Sequence, residues 1–156
     1  VVGVGVSLGA AELLQAISHR ERAFCGAIAD SSFSSFREVA YDRVGQFVGY
    51  GPWLGRWVLR PAIESAFLYL RLRTGDDLRR ASPVETIRAA RVPILLIHGT
   101  ADDNIPPRHV QALAAANPSA RVWMVPNAGH YGAWRAAPEE YPRRVLAFVR
   151  EVSVPR

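Results

Sequence analysis

An α/β fold, built on a predominantly parallel sheet of about four strands with flanking helices, is predicted for this 156-residue chain by three observations. Four short apolar runs, at 1–6, 23–29, 92–97 and 121–125, read as strands. They are separated mostly by segments of helix length, an alternation that favours crossover connections and parallel pairing. Hydrophobic residues make up 49% of the chain and charged residues 21%, the balance of an ordinary globular domain with material for a core.

The first run leads straight into Gly5-Val6-Ser7-Leu8-Gly9 and then into a helical pattern carrying Leu8, Ala11, Leu14, Ala16 and Ile17. A side chain exposed on a tight strand-to-helix turn crowds the backbone two residues before and after it, and small residues there relieve the crowding. Ser7 is therefore a candidate nucleophile, and the amide of Leu8 is a candidate donor to a developing oxyanion. The second run, Ala23-Phe24-Cys25-Gly26-Ala27-Ile28-Ala29, reads as a buried strand, with Cys25 packed in the core. One cysteine excludes an internal disulfide framework.

The third run, Val92-Pro93-Ile94-Leu95-Leu96-Ile97-His98-Gly99, is followed by Thr100-Ala101-Asp102-Asp103-Asn104-Ile105-Pro106, which puts Asp102 on a loop just past a strand. A helix is expected over 104–116, carrying Val110, Leu113 and Ala114. After the fourth strand, Pro126-Asn127-Ala128-Gly129-His130 places His130 on the next loop. An amphipathic helix over 139–152 closes the chain, with Tyr141, Val145, Phe148 and Val149 toward the sheet. A serine hydroxyl is a weak nucleophile without a base, and the base needs an orienting acid. Ser7, Asp102 and His130 supply those types in the chain order of a hydrolase triad, each on a loop after a strand.

Gly-Val-Ser-Leu-Gly at 5–9, Ala-Asp-Ser-Ser-Phe at 29–33, Ile-His-Gly-Thr-Ala-Asp-Asp-Asn-Ile-Pro at 97–106 and Ala-Gly-His at 128–130 together span nearly the whole chain. In these pieces the chain resembles the C-terminal half of an α/β-hydrolase, of the serine esterase, serine aminopeptidase-like and prolyl-oligopeptidase-like branches. The resemblance implies Ser7 as nucleophile, Asp102 as acid, His130 as base and the Leu8 amide as one oxyanion donor; the other donor has no match here. It implies hydrolysis of an ester or amide in a small molecule or peptide, with no cofactor. Full members of the family place several strands before the nucleophile strand, whereas residue 1 here is Val and already lies within it. A truncated product carrying a partial α/β-hydrolase fold over 1–156 is therefore expected. Its first strand would present an exposed apolar edge, which predicts a homo-oligomer, aggregation or dependence on a separate N-terminal half.

The connection from Ser31 to about Arg91 exceeds an ordinary link between neighbouring strands, and an inserted helical cap is expected over about 33–85. Within it Tyr50, Trp53, Trp57, Phe67 and Tyr69 alternate with leucines and arginines. These aromatics are expected mostly to pack a cap core, the alternative being the wall of an apolar acyl pocket. A lipid-resting helix is the weaker reading, because Pro52, Gly55 and Pro61 interrupt the period, and membrane contact is not expected.

The net charge of +5 comes from 19 basic and 14 acidic side chains, and every basic one is Arg. The arginines are scattered with no run of three, which argues against nucleic-acid binding. No cluster has metal-ligand spacing, so no metal is expected. A cytoplasmic location is the default in the absence of a visible leader. Asp30 is an alternative acid, expected instead to brace the turn through Ser31 and Ser32. His98 is expected to steady the acid loop, Asp103 to be solvated, and His19 and His109 to be ordinary exposed histidines. A non-catalytic binding module that keeps the cleft, or a fragment needing its N-terminal half, are the competing readings.

Overall fold

The computed structural model describes residues 1–154. In chain order the main elements are β1 (Val2–Val6), α1 (Leu8–His19), β2 (Gly26–Asp30), α2 (Phe36–Phe47), α3 (Arg60–Thr74), β3 (Ile94–Gly99), α4 (Arg108–Ala116), β4 (Arg121–Val125) and α5 (Glu140–Ser153). The four strands form one sheet in the order β1-β2-β3-β4, and every neighbouring pair is parallel. All four carboxyl ends therefore lie along one side of the sheet, and the loops that follow them gather there.

Alternate residues of the strands face opposite layers. Ala27, Ala29, Ile94 and Leu96 pack with Ala10, Leu14 and Ile17 of α1 and with Val110 and Leu113 of α4. Ile28, Leu95, Ile97, Trp123 and Val125 pack with Phe148 of α5, alongside Tyr141, Val145 and Val149. Among the described residues β1 pairs only with β2, and Val4 on that edge strand is 59% exposed.

Several boundaries differ from the sequence reading for local reasons. Glu21–Ala23 closes a 3₁₀ turn, so β2 starts at Gly26 and Cys25 lies just before it, half-buried rather than in the core. The third strand runs on to Gly99. Helix α4 starts at Arg108 rather than 104, because the Asn104 and Ile105 amides are taken by Asp102 and two prolines follow. On α1 the buried face is Ala10, Ala11, Leu14 and Ile17, and Leu8 and Ala16 face outward.

The chain groups into two compact units, one of Val1–Ser34 with Pro83–Arg156 and one of Ser35–Ser82. In the second, the Ser35 hydroxyl caps α2 by accepting the Glu38 amide at 3.2 Å. Gly75, in the left-handed region at φ 82°, ends α3. Its core is Tyr41, Ile63 and Phe67, with Phe36 edge-on to Phe67 at 6.2 Å. The expectation that the aromatics would mostly form this core fails: of the five, Phe67 alone is buried, and Tyr50, Trp53, Trp57 and Tyr69 are exposed. Phe67 and Tyr69 sit two positions apart on α3, about 200° around the helix, so one faces in and the other out.

Candidate active site

Ser7 follows β1 directly, and its backbone sits at φ 52°, ψ −115°, a strained conformation for a residue with a side chain. The Ser7 amide donates to the Asp30 carbonyl at 2.8 Å, which ties the turn to β2. A Cβ on Gly5 would meet the Gly9 carbonyl oxygen at 2.4 Å, so the turn closes only over a glycine there. Gly9 is different: a Cβ on it meets nothing within 4 Å, and crowding on that side does not explain it. Leu8 is the first residue of α1, and first-turn amides have no acceptor within their own helix.

The loops after β3 and β4 are held together by backbone hydrogen bonds. The Thr100 amide donates to the Val125 carbonyl at 3.0 Å, and the Ala101 amide donates to the Ala128 carbonyl at 2.9 Å. In the other direction the Asn127 amide donates to the Thr100 hydroxyl at 2.9 Å. A Cβ on Gly99 would lie 2.1 Å from the Ala128 oxygen, so this close approach depends on glycine.

Three of the candidate side chains come into a line. Ser7 Oγ lies 3.1 Å from His130 Nε2, and His130 Nδ1 lies 2.8 Å from Asp102 Oδ2. Asp102 is buried, and its other oxygen accepts the amides of Asn104 at 3.0 Å and Ile105 at 2.8 Å. Both carboxylate oxygens are thus engaged, and the ring of His130 is aimed through one of them. Tyr131, at φ 58°, places its ring centroid 3.9 Å from that of the imidazole, the two planes tilted by 50°. A hydroxyl, an imidazole and a buried carboxylate in this order can pass a proton from oxygen to nitrogen while the carboxylate stabilises the resulting cation.

Asp30 lies apart from that line. Its carboxylate accepts the Ser31 hydroxyl at 3.0 Å and the Tyr141 hydroxyl at 2.9 Å, while the Ser32 hydroxyl turns to the Phe33 carbonyl. Burial pushes its carboxyl up from the ordinary 3.8, against the two hydroxyls that favour ionisation. Burial and the neighbouring Asp30 charge likewise push the Tyr141 phenol up. The brace through Tyr141, 111 residues away, carried no signal in the sequence.

His109 contradicts the expectation of an exposed histidine. It is fully buried, and its Nδ1 lies 3.1 Å from the Ser34 amide and 2.9 Å from the Ser34 hydroxyl. The amide must donate, so Nδ1 is an acceptor. Its spacing of four from Leu113 was the available clue, since both fall on one face of α4. His19 and Asp103 are exposed.

No helix among the described residues is long and apolar enough to cross a membrane. The profile of the Alpha/beta hydrolase family matches residues 1–148. Among solved structures, the chain is similar to an esterase of Pyrococcus furiosus, with a TM-score of 0.66 and 21% identity over 96% of this chain and 52% of that one. It is also similar to the esterase domain of a Rhodothermus marinus protein, with a TM-score of 0.64 and 16% identity over 96% of this chain and 59% of the other. An acylaminoacyl peptidase of Pyrococcus horikoshii aligns with a TM-score of 0.65 and 16% identity, over 96% of this chain and 23% of the peptidase. The chain therefore spans about half the length of the Pyrococcus furiosus esterase. No curated protein matches it.

Proposed function

The chain belongs to the alpha/beta hydrolase family, and from that premise we propose that it carries the reacting groups of a serine hydrolase acting on an ester. In this reading Ser7 is the nucleophile, His130 the general base and acid, Asp102 the orienting acid and the Leu8 amide an oxyanion donor. The observation that carries it is the unbroken line from Ser7 Oγ through both nitrogens of His130 to Asp102, at 3.1 and 2.8 Å.

His130 Nε2 takes the proton of Ser7 Oγ as the oxygen attacks the carbonyl carbon. The Asp102 carboxylate holds Nδ1–H, fixes the tautomer and stabilises the imidazolium. His130 then returns the proton to the leaving alkoxide or amine as the tetrahedral intermediate collapses to an acyl-enzyme on Ser7. Water, deprotonated by the same nitrogen, attacks the acyl carbon and releases the acid and the serine. A site with one oxyanion donor rather than two turns over about 10² to 10³ more slowly. An ester is preferred to an amide because its leaving group demands less of the protonation step. The esterases and the peptidase among the similar structures allow either.

Treatment with a fluorophosphonate probe tests the reading. The parent chain is expected to be labelled, and Ser7→Ala and His130→Ala, shown to be folded by circular dichroism, are expected to take up none. Equal uptake by a folded parent and Ser7→Ala sinks it and leaves a cleft that binds without turnover.

A further inference from the structure

We infer that His98 is a positioning residue, which acts on the reaction through Asp102 by fixing the residue that holds the carboxylate. The inference rests on the reading of Ser7, His130 and Asp102 as the reacting set.

His98 stands near the end of β3 and is 0% exposed. Its Nε2 lies 2.8 Å from the Ile105 carbonyl oxygen. A carbonyl can only accept, so the ring is the Nε2–H tautomer. The same Ile105 donates its amide to Asp102 Oδ1 at 2.8 Å. One residue therefore joins the His98 ring to the carboxylate. Ile105 has little freedom to yield, because Pro106 follows it and its own side chain is buried. His98 Nε2 stays 3.7 Å from Asp102 Oδ2, beyond hydrogen-bonding distance, so it leaves that oxygen to His130.

The other ring nitrogen, Nδ1, is buried without a hydrogen-bond partner among the described residues. A side chain kept only to fill space would do so better without that lone pair, since an unsatisfied buried polar atom is costly. A proton on Nδ1 would create a buried cation with no acceptor for its new N–H. Burial accordingly lowers the basicity of the ring. The charged or titratable groups that act on it are Asp102 in the acid loop, Asp30 at the end of β2 and His109 on α4. Burial and the unpartnered Nδ1 thus both favour the neutral ring that donates from Nε2 to Ile105.

Long-range ¹H–¹⁵N spectra of the 156-residue chain test the tautomer. His98 is expected as neutral Nε2–H at neutral pH, and an Nδ1–H tautomer or an imidazolium there overturns the inference. Two variants test the consequence, His98→Phe, which removes the donor, and His98→Gln, which keeps one. In His98→Phe the maximal rate of fluorophosphonate labelling is expected to fall about 10-fold to 10²-fold with probe affinity within about twofold. The downfield resonance of His130 Nδ1–H is expected to broaden or vanish, and His98→Gln to restore it. A folded His98→Phe that keeps both resonance and rate overturns the proposal. Should His98→Phe not fold, loss of the resonance in a folded His98→Gln overturns it. Failure of the relay reading looks different: the parent then lacks the downfield resonance, or keeps it in Asp102→Asn.

Discussion

Around Asp102 and His130, side chains are aimed by peptide groups: two amides on one carboxylate oxygen, and backbone bonds that bind the 100–101 loop to the 125–128 loop. In the unit Ser35–Ser82 polar groups meet instead through long side chains. Arg56 spans Glu38 at 2.7 Å and Asp42 at 3.3 Å, Arg37 reaches Glu64, and Arg79 grips Asp77. Peptide groups are planar and have no rotamers, so they hold a partner in one direction. The Arg37 pair, with its head 42% exposed, is screened by water and contributes little, whereas Arg56 reaches the buried Asp42 from a partly covered position. The contrast is between groups held by the backbone and groups held by side chains with several free torsions. In the proposed reaction Asp102 and His130 need an aim, which the backbone supplies.

Breaking the tight side of that comparison should have the largest effect. Gly99→Ala places a methyl 2.1 Å from the Ala128 oxygen, and the two loops must part. Chemical unfolding should show a loss of about 1 to 3 kcal/mol, and fluorophosphonate labelling should slow about 10²-fold as His130 leaves its line. Labelling at the parent rate would show that the loop contact is not what aims the imidazole.

Tyr141→Phe removes a side-chain donor from the buried Asp30 and should cost about 1 to 2 kcal/mol. Because burial raises the Asp30 carboxyl above 3.8, folding favours its protonated form. Its contribution is fully present below 3.8 and is lost as pH rises through the folded value. The Tyr141 hydroxyl limits that loss by supporting the ionised form. The gap between parent and Tyr141→Phe in unfolding midpoints should therefore widen from acid to neutral pH, and a gap that is constant or narrows would place the hydroxyl's role elsewhere.

The loose side sets the smallest expectation. Trp57 is 68% exposed on the Ser35–Ser82 unit, and Trp57→Ser should shift stability by no more than about 0.5 kcal/mol in the same assay. A loss of several kcal/mol would mean that this surface is covered in solution.

The elements nearest the candidate site were the most legible, because glycine and apolar runs mark them locally. Gly5 announces the strained turn at Ser7, and the runs ending at Gly99 and Val125 place Asp102 and His130 on loops. The start of β2 was misread because Ala23, Phe24 and Cys25 are as apolar as a strand, and nothing in composition reveals a 3₁₀ turn. His109 and Tyr141 escaped for another reason. Their partners, Ser34 and Asp30, lie 75 and 111 residues away, and such contacts are set by packing rather than by neighbours in sequence. The aromatics of Ser35–Ser82 were misplaced because aromatic content alone does not say which face of a helix is covered, as Phe67 and Tyr69 demonstrate.

The line through His130 joins partners at very unequal distances along the chain. Asp102 is 28 residues from His130, across the single crossover between β3 and β4, whereas Ser7 is 123 residues away. Closing the longer loop costs about 1.3 kcal/mol more chain entropy than closing the shorter. During folding, Asp102 and His130 can find each other as soon as β3 and β4 pair. The contact of Ser7 with His130 is by the same arithmetic the costlier to close, so under the proposed reading the serine is the last of the three to gain its partner.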